Sequence, residues 1–220
     1  MSGFTVDRSY FQANFPSNKL HGKTLGTGSR LAGFNAIFDY WDSLETLDSM
    51  EWLAYALATA WHETGGRMVP VREGFATSDA QAYERVTEYC RRKNISNYAA
   101  RHSNGQSYYG RGYVQLTHGI NYKTMGQHLS VGSRFYDAPD DVMRPDTGAE
   151  ILIDGMIFGL FRPNKGRLSD YFNGQHQRWH GARDLINGDK NKQPNWADGK
   201  SIGTLVADYG RAFRGALIFA

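Results

Sequence analysis

The chain of 220 residues is short of several things, and each shortage excludes a class of protein. It has one cysteine, Cys90, so no internal disulfide framework can staple it and nothing argues for an oxidised secreted scaffold. The cations of Tyr89-Cys90-Arg91-Arg92-Lys93 would activate a thiol, yet no reaction partner stands nearby, and a packed cysteine is expected. No stretch approaches the roughly 18 consecutive apolar residues of a membrane span, so no integral membrane association is expected. The opening residues Met1 to Arg8 lack a basic segment followed by an apolar one; no signal peptide is expected, and synthesis in the cytoplasm follows. Charge of one sign is scarce as well: 25 Lys and Arg against 22 Asp and Glu leave +3. That is too little for a committed nucleic-acid binder, but it suits approach to an anionic polymer or cell envelope. Metal-ligand spacing is also missing. His62-Glu63 would begin a zinc helix motif, but no second histidine follows one turn on, where the chain runs Gly65-Gly66-Arg67. No metal and no other cofactor is expected.

What is present reads as mainly helical. The length fits one globular domain, or one domain of two lobes, and can bury a full core. Leu31 to Trp41 carries apolar residues at helical spacing, and Asp48-Ser49 are capping candidates for the next helix. Helices are expected over roughly Ala80–Lys93, Thr117–Leu129 (with Thr117 as N-cap), Pro145–Phe161, Gly181–Gly188 and Ile202–Leu217. Gly22–Gly33 and Arg67–Ser78 read as irregular. Within the polar stretch 94–112 and just beyond it, Ser107-Tyr108-Tyr109 and Tyr113 to Leu116 are strand-like, predicting a small hairpin or extended loop beside the helices.

Two strings carry chemistry. The first is the run Glu51 to Ala60, nearly all good helix formers, closed by Trp61-His62-Glu63-Thr64-Gly65-Gly66. The glycine pair is a stop signal, which puts Glu63 in the last turn, where free carbonyls carry the negative end of the helix dipole. That dipole and apolar neighbours such as Trp61 favour a protonated carboxyl, the state a general acid needs. The bland alternative is an exposed helix-end residue. The second string is Tyr108-Tyr109-Gly110-Arg111-Gly112-Tyr113-Val114-Gln115-Leu116-Thr117. Its glycines let the backbone turn and bring Arg111 inward. Alternation would set Tyr113 and Gln115 on a polar face and Val114 and Leu116 on an apolar one, the wall of a polar cleft backed by core.

With both strings in place the chain resembles glycoside hydrolase family 19, the plant-type chitinases and a group of phage endolysins. The likeness extends to Asn121 and to Arg183-Asp184-Leu185-Ile186-Asn187-Gly188, covers roughly residues 30 to 217, and implies a single catalytic domain over 1–220. It implies a lysozyme-like, two-lobed helical fold with a small β-hairpin element beside the cleft. It also implies roles: Glu63 as general acid, Thr117 as a holder of the attacking water, and Gln115, Asn121 and Asn187 on sugar hydroxyls and acetamido groups. Tyr109 and Tyr113 would meet the glycan, and His62, Arg111 and Arg183 would support the site. For the second carboxylate the best candidate is Glu73, in Pro70-Val71-Arg72-Glu73-Gly74-Phe75, with Arg72 as a supporting cation. Glu84 and Glu88, on the helix expected next, are the competitors.

The family's machinery serves chitin and the peptidoglycan glycan alike, since both are β-1,4-linked N-acetylated aminosugars. A lone cysteine, and Tyr113-Val114 where the plant enzymes typically carry Pro-Ile, favour the endolysin branch. The expectation is therefore a monomeric peptidoglycan hydrolase, inverting, that reaches the bacterial wall through a lesion made by a separate, holin-type protein. A chitinase is the alternative, and a catalytically inactive glycan-binding module is the alternative of another class.

Overall fold

In the computed structural model, which describes residues 4–220, helices dominate. In chain order they are α1 (Arg8–Ala13), α2 (Ser29–Ser43), α3 (Met50–Glu63), α4 (Asp79–Lys93), α5 (Gly119–His128), α6 (Arg134–Asp137), α7 (Pro145–Ile157), α8 (Leu168–Tyr171) and α9 (Ile202–Arg214). The strands are β1 (Val71–Arg72), β2 (Arg111–Gly112), β3 (Phe172–Asn173) and β4 (His176–Gln177).

The spine is α3. Ser49 caps it by accepting from the Trp52 N–H at 3.3 Å, and every residue from Leu53 to Trp61 is buried. A helix apolar on all sides has to be covered on all sides; α9 lies along α3, α7 also touches it, and α2 packs on α7. Ser201 caps α9 through the Thr204 N–H at 3.2 Å. Phe34, Trp61 and Phe213 interleave here with ring centroids 5.6–6.3 Å apart, so Trp61 belongs to this core.

A second, smaller core lies around α4. Ser78 caps that helix through the Gln81 N–H at 3.2 Å, and Ala82, Val86 and Cys90 turn one face toward Ala76, Ala99 and Tyr109. Cys90 is thus a packed residue, as expected. Two cores make two lobes, with the cleft between them.

The β element beside the cleft differs from the local hairpin that the sequence suggested. β1 pairs antiparallel with β2, Val71 opposite Gly112 and Arg72 opposite Arg111, so the pairing joins segments some 40 residues apart. Arg111 and Leu116 also exchange backbone hydrogen bonds at 2.8 and 3.2 Å. Residues 113–115 are therefore a turn, and the alternation expected of a strand does not apply. A second hairpin, β3 with β4, was not legible in the sequence. Thr117 is not an N-cap either: α5 starts at Gly119, His118 holds the cap position at φ 71°, and no side chain caps it.

Candidate active site

A cavity of about 550 Å³ runs between the lobes, with Glu63, Glu73, Gln115, Thr117, Asn121 and Asn187 among its lining residues. Glu63 is the last residue of α3 and is 14% exposed. Its setting is an ion pair rather than the apolar surroundings expected from Trp61. The Arg183 Nη1 donates to Glu63 Oε1 at 2.6 Å, while Nε and Nη2 of the same guanidinium grip both oxygens of Asp189 at 2.8 and 3.0 Å. Arg183 itself is 1% exposed, and such fork-to-carboxylate geometry fixes direction as well as charge. Burial would push the Asp189 carboxyl up, but Arg183 outweighs it and holds the group below the usual carboxylate range. Beside them burial pushes the His62 imidazole below its ordinary value, with the Glu63 charge opposing and Arg183 reinforcing.

Glu73 follows β1 on a turn that Gly74 makes possible with φ 66°. The Tyr98 hydroxyl donates to Oε1 at 2.5 Å and the Gly110 N–H to Oε2 at 2.8 Å. Burial and this bond to Glu73 together push the Tyr98 phenol well above its ordinary range. The carboxylate is thus held by a tyrosine of the small lobe and a backbone amide, both missed by the sequence reading. Arg72, expected to support it, turns to Asp140 at 2.6 Å instead. Glu84 and Glu88 are exposed on α4 and line a different depression, and Glu88 pairs with Arg91 at 2.8 Å.

The cleft floor is braced from below. Gln115, at φ 56°, donates through Nε2 to the Val71 carbonyl at 3.0 Å. The Thr117 hydroxyl donates to the Gln115 carbonyl at 2.7 Å, and Asn121 Nδ2 to the Thr117 carbonyl at 2.6 Å. Asn187 is exposed and bonds through Oδ1 to the Gly188 N–H at 2.7 Å. Each side chain keeps polar atoms for a ligand: the Asn121 Oδ1, the Asn187 Nδ2, the Thr117 oxygen.

Two expected glycan contacts are not in the cleft. Tyr113 is fully buried; released from strand geometry, it packs against α7, where a Cβ at Gly148 would stand 2.9 Å from its ring. Tyr109 is fully buried too, its hydroxyl on Asp79 at 2.9 Å and its ring 3.7 Å from the Arg111 guanidinium carbon. Arg111 is 1% exposed and joins Asp79 (3.0 Å), Asp140 (2.8 Å) and the Ser107 carbonyl (2.8 Å). It ties the small lobe to the 3-10 turn Pro139–Met143. Its acidic partners, like Asp189, come from distant segments and left no mark in the motif.

Two helical lobes with a cleft between them, a carboxyl group anchored from each lobe and amide side chains along the floor, define the class: an enzyme for glycosidic bonds, whose hydrolysis needs paired carboxyls. The chain belongs to glycoside hydrolase family 19, whose model, described as chitinase class I, matches residues 32–171. The match takes in Glu63, Glu73, Gln115, Thr117 and Asn121 and ends before Arg183 and Asn187. The chain is similar to the solved structure of a bacterial family 19 chitinase, at 21% identity over 97% of this chain and 95% of that one, TM-score 0.45. It is also similar to chitinase C from Streptomyces griseus, at 17% identity over 84% of this chain and 75% of that one, TM-score 0.37. No curated protein matches it.

Proposed function

We propose that this glycoside hydrolase cleaves β-1,4 bonds between N-acetylated aminosugars in the peptidoglycan glycan. The observation that carries the reading is the shared cavity of Glu63 and Glu73, one tethered to a buried arginine and the other to a tyrosine and a backbone amide. Glu63 protonates the leaving glycosidic oxygen from the oxygen that Arg183 leaves free. Glu73, fixed as a carboxylate acceptor by Tyr98 and Gly110, takes a proton from a water that the Thr117 hydroxyl helps to hold. Water attacks as the bond to the leaving oxygen breaks, so the anomeric configuration inverts. Asn121 and Asn187 offer an acceptor and a donor to acetamido groups.

Chitin is the second reading, and the description of the matching family favours it. Purified protein assayed in parallel on peptide-free peptidoglycan and on colloidal chitin separates the two. Mass spectrometry of the fragments names the bond through the new reducing-end sugar, and proton NMR of early product gives its anomer. Faster release from peptidoglycan, with inverted product, is the expected result. In the same assay Glu63→Gln should lower kcat by about 10²–10⁴-fold with an unchanged unfolding midpoint; near wild-type turnover would remove Glu63 from the mechanism.

A further inference from the structure

The catalytic cleft does not end at Glu63. A second cavity, about 590 Å³, continues on the far side of that residue and shares Glu63 and Phe75 with the first. Its walls include His21, Lys23, His62, Trp196 and Tyr209. Trp196 is 63% exposed and lies over His62, ring centroids 6.3 Å apart at 32°. Large aromatic faces left open to solvent on a 3-10 turn (Asn195–Ala197) gain nothing for the fold, whereas the C–H face of a sugar ring stacks on them.

Positive charge gathers beside this groove. Lys23 reaches the Gly65 carbonyl at 2.5 Å, Arg30 the Gly66 carbonyl at 2.7 Å, and the Arg67 guanidinium carbon stands 4.3 Å from the Phe75 ring centroid. Among the described residues none of these three cations has a carboxylate partner, and the one acid of the groove, Glu63, is held by Arg183. Burial and the charges of Arg30 and Arg67 lower the ammonium of Lys23 from its ordinary value. Two of the cations bond the carbonyls of the glycine pair just past α3, near the negative end of its dipole, which accounts for their position. These bonds do not account for Arg67, nor for the crowding of like charge beside an open tryptophan. Lys23 and Trp196 both lie outside residues 32–171, whereas Trp61, His62, Glu63, Gly65 and Phe75 of the same groove lie inside the stretch that the family model covers.

We propose that the groove is a sugar-binding site continuous with the catalytic cleft, and that it takes an aminosugar bearing a carboxylate. The ring stacks on Trp196, and the carboxylate is met by Lys23 at the wall and Arg67 at the rim. The lactyl-bearing aminosugar of peptidoglycan has this chemistry where no stem peptide is attached to it, and neutral chitin does not. The inference rests on the peptidoglycan reading above and narrows it, placing the carboxylated unit next to the cleaved bond.

The test uses peptide-free peptidoglycan oligomers of one length, with their carboxylates intact or converted to primary amides, and chitin oligomers of the same length. Wild-type protein should cleave the intact oligomers with a kcat/KM roughly tenfold above the amidated ones, as a charge-assisted hydrogen bond implies. Lys23→Gln should bring that ratio near one, and Lys23→Arg should keep it. Trp196→Ala should raise KM for both oligomers and leave the ratio standing. Equal cleavage of intact and amidated oligomers by wild type overturns the carboxylate site and spares the peptidoglycan reading, as does a ratio that survives Lys23→Gln. Should Lys23→Gln fail to fold, the wild-type ratio and Arg67→Gln decide in its place. Cleavage of chitin oligomers alone overturns both readings.

Discussion

Glu63 and Glu73 hold their places by different means. Glu63 is steered by a single buried cation that is itself locked by Asp189, so its position is set by a chain of three side chains. Glu73 is steered by two neutral donors, one on each oxygen. Removing one of those donors leaves the carboxylate free to rotate about its terminal torsion, which is broad for a glutamate, and small errors of placement are costly when a water must be aimed. Tyr98→Phe keeps the ring in the small core and deletes only the hydroxyl. Its kcat should fall about tenfold, with KM within about twofold of wild type, because Tyr98 positions Glu73 and does not itself meet the sugar. A kcat equal to wild type would show that the Gly110 amide alone suffices.

Helix α2 meets the segment that follows α3 through a close approach that only glycine permits. A Cβ at Gly33, in the second turn of α2, would lie 1.5 Å from the Met68 carbonyl oxygen. That neighbour is backbone, so no rotamer change relieves the clash, and α2 would have to back away from the segment following Glu63. Gly33→Ala should destabilise the protein by about 1–3 kcal/mol, as overpacking does, read from urea unfolding with an unchanged slope. It should also lower activity, because the segment displaced begins at the end of α3, next to Glu63. Unaltered stability would mean that the contact is loose. Elements of this kind divide sharply in how legible they are. The helices around α3, α4 and α9, with Ser49 capping the first, were readable because apolar spacing and cap chemistry are local. The end of α3 at Glu63 was readable for the same reason. Thr117 was misread because its hydroxyl goes to the Gln115 carbonyl while the backbone turns left-handed at His118. Tyr113 was misread because pairing of β2 with a distant strand turns residues 113–115 out of extended geometry. Arg183 was marked as a support of the site only by the resemblance, and its bond to Glu63, 120 residues away, is made by the fold.

The two lobes are clamped by charge around Asp140. Arg72 and Arg111 both reach it, at 2.6 and 2.8 Å, and Arg111 continues to Asp79 at the start of α4. Burial alone would raise the Asp140 carboxyl, but the two arginines outweigh it and hold it below its ordinary value of 3.8; Asp189, in the clasp of Arg183, is lowered likewise. A carboxyl whose folded value is depressed binds fewer protons in the native than in the unfolded chain, so it contributes stability that is complete above the unfolded value and disappears as pH falls through the folded one. These pairs should therefore give a constant contribution from neutral pH down to about 5 and lose it below about 4. His62 acts in a separate window: held below 6.5 by burial, it withdraws stability once the unfolded imidazole begins to protonate. Asp140→Asn keeps the shape and removes the charge. It should unfold at a lower temperature than wild type at pH 7, and the gap between the two should narrow progressively as thermal scans are taken below about pH 4, as wild type loses the same charge. If the gap is as wide at pH 3 as at pH 7, the clamp acts through shape and hydrogen bonding, and the ion pairs do not hold the cleft together.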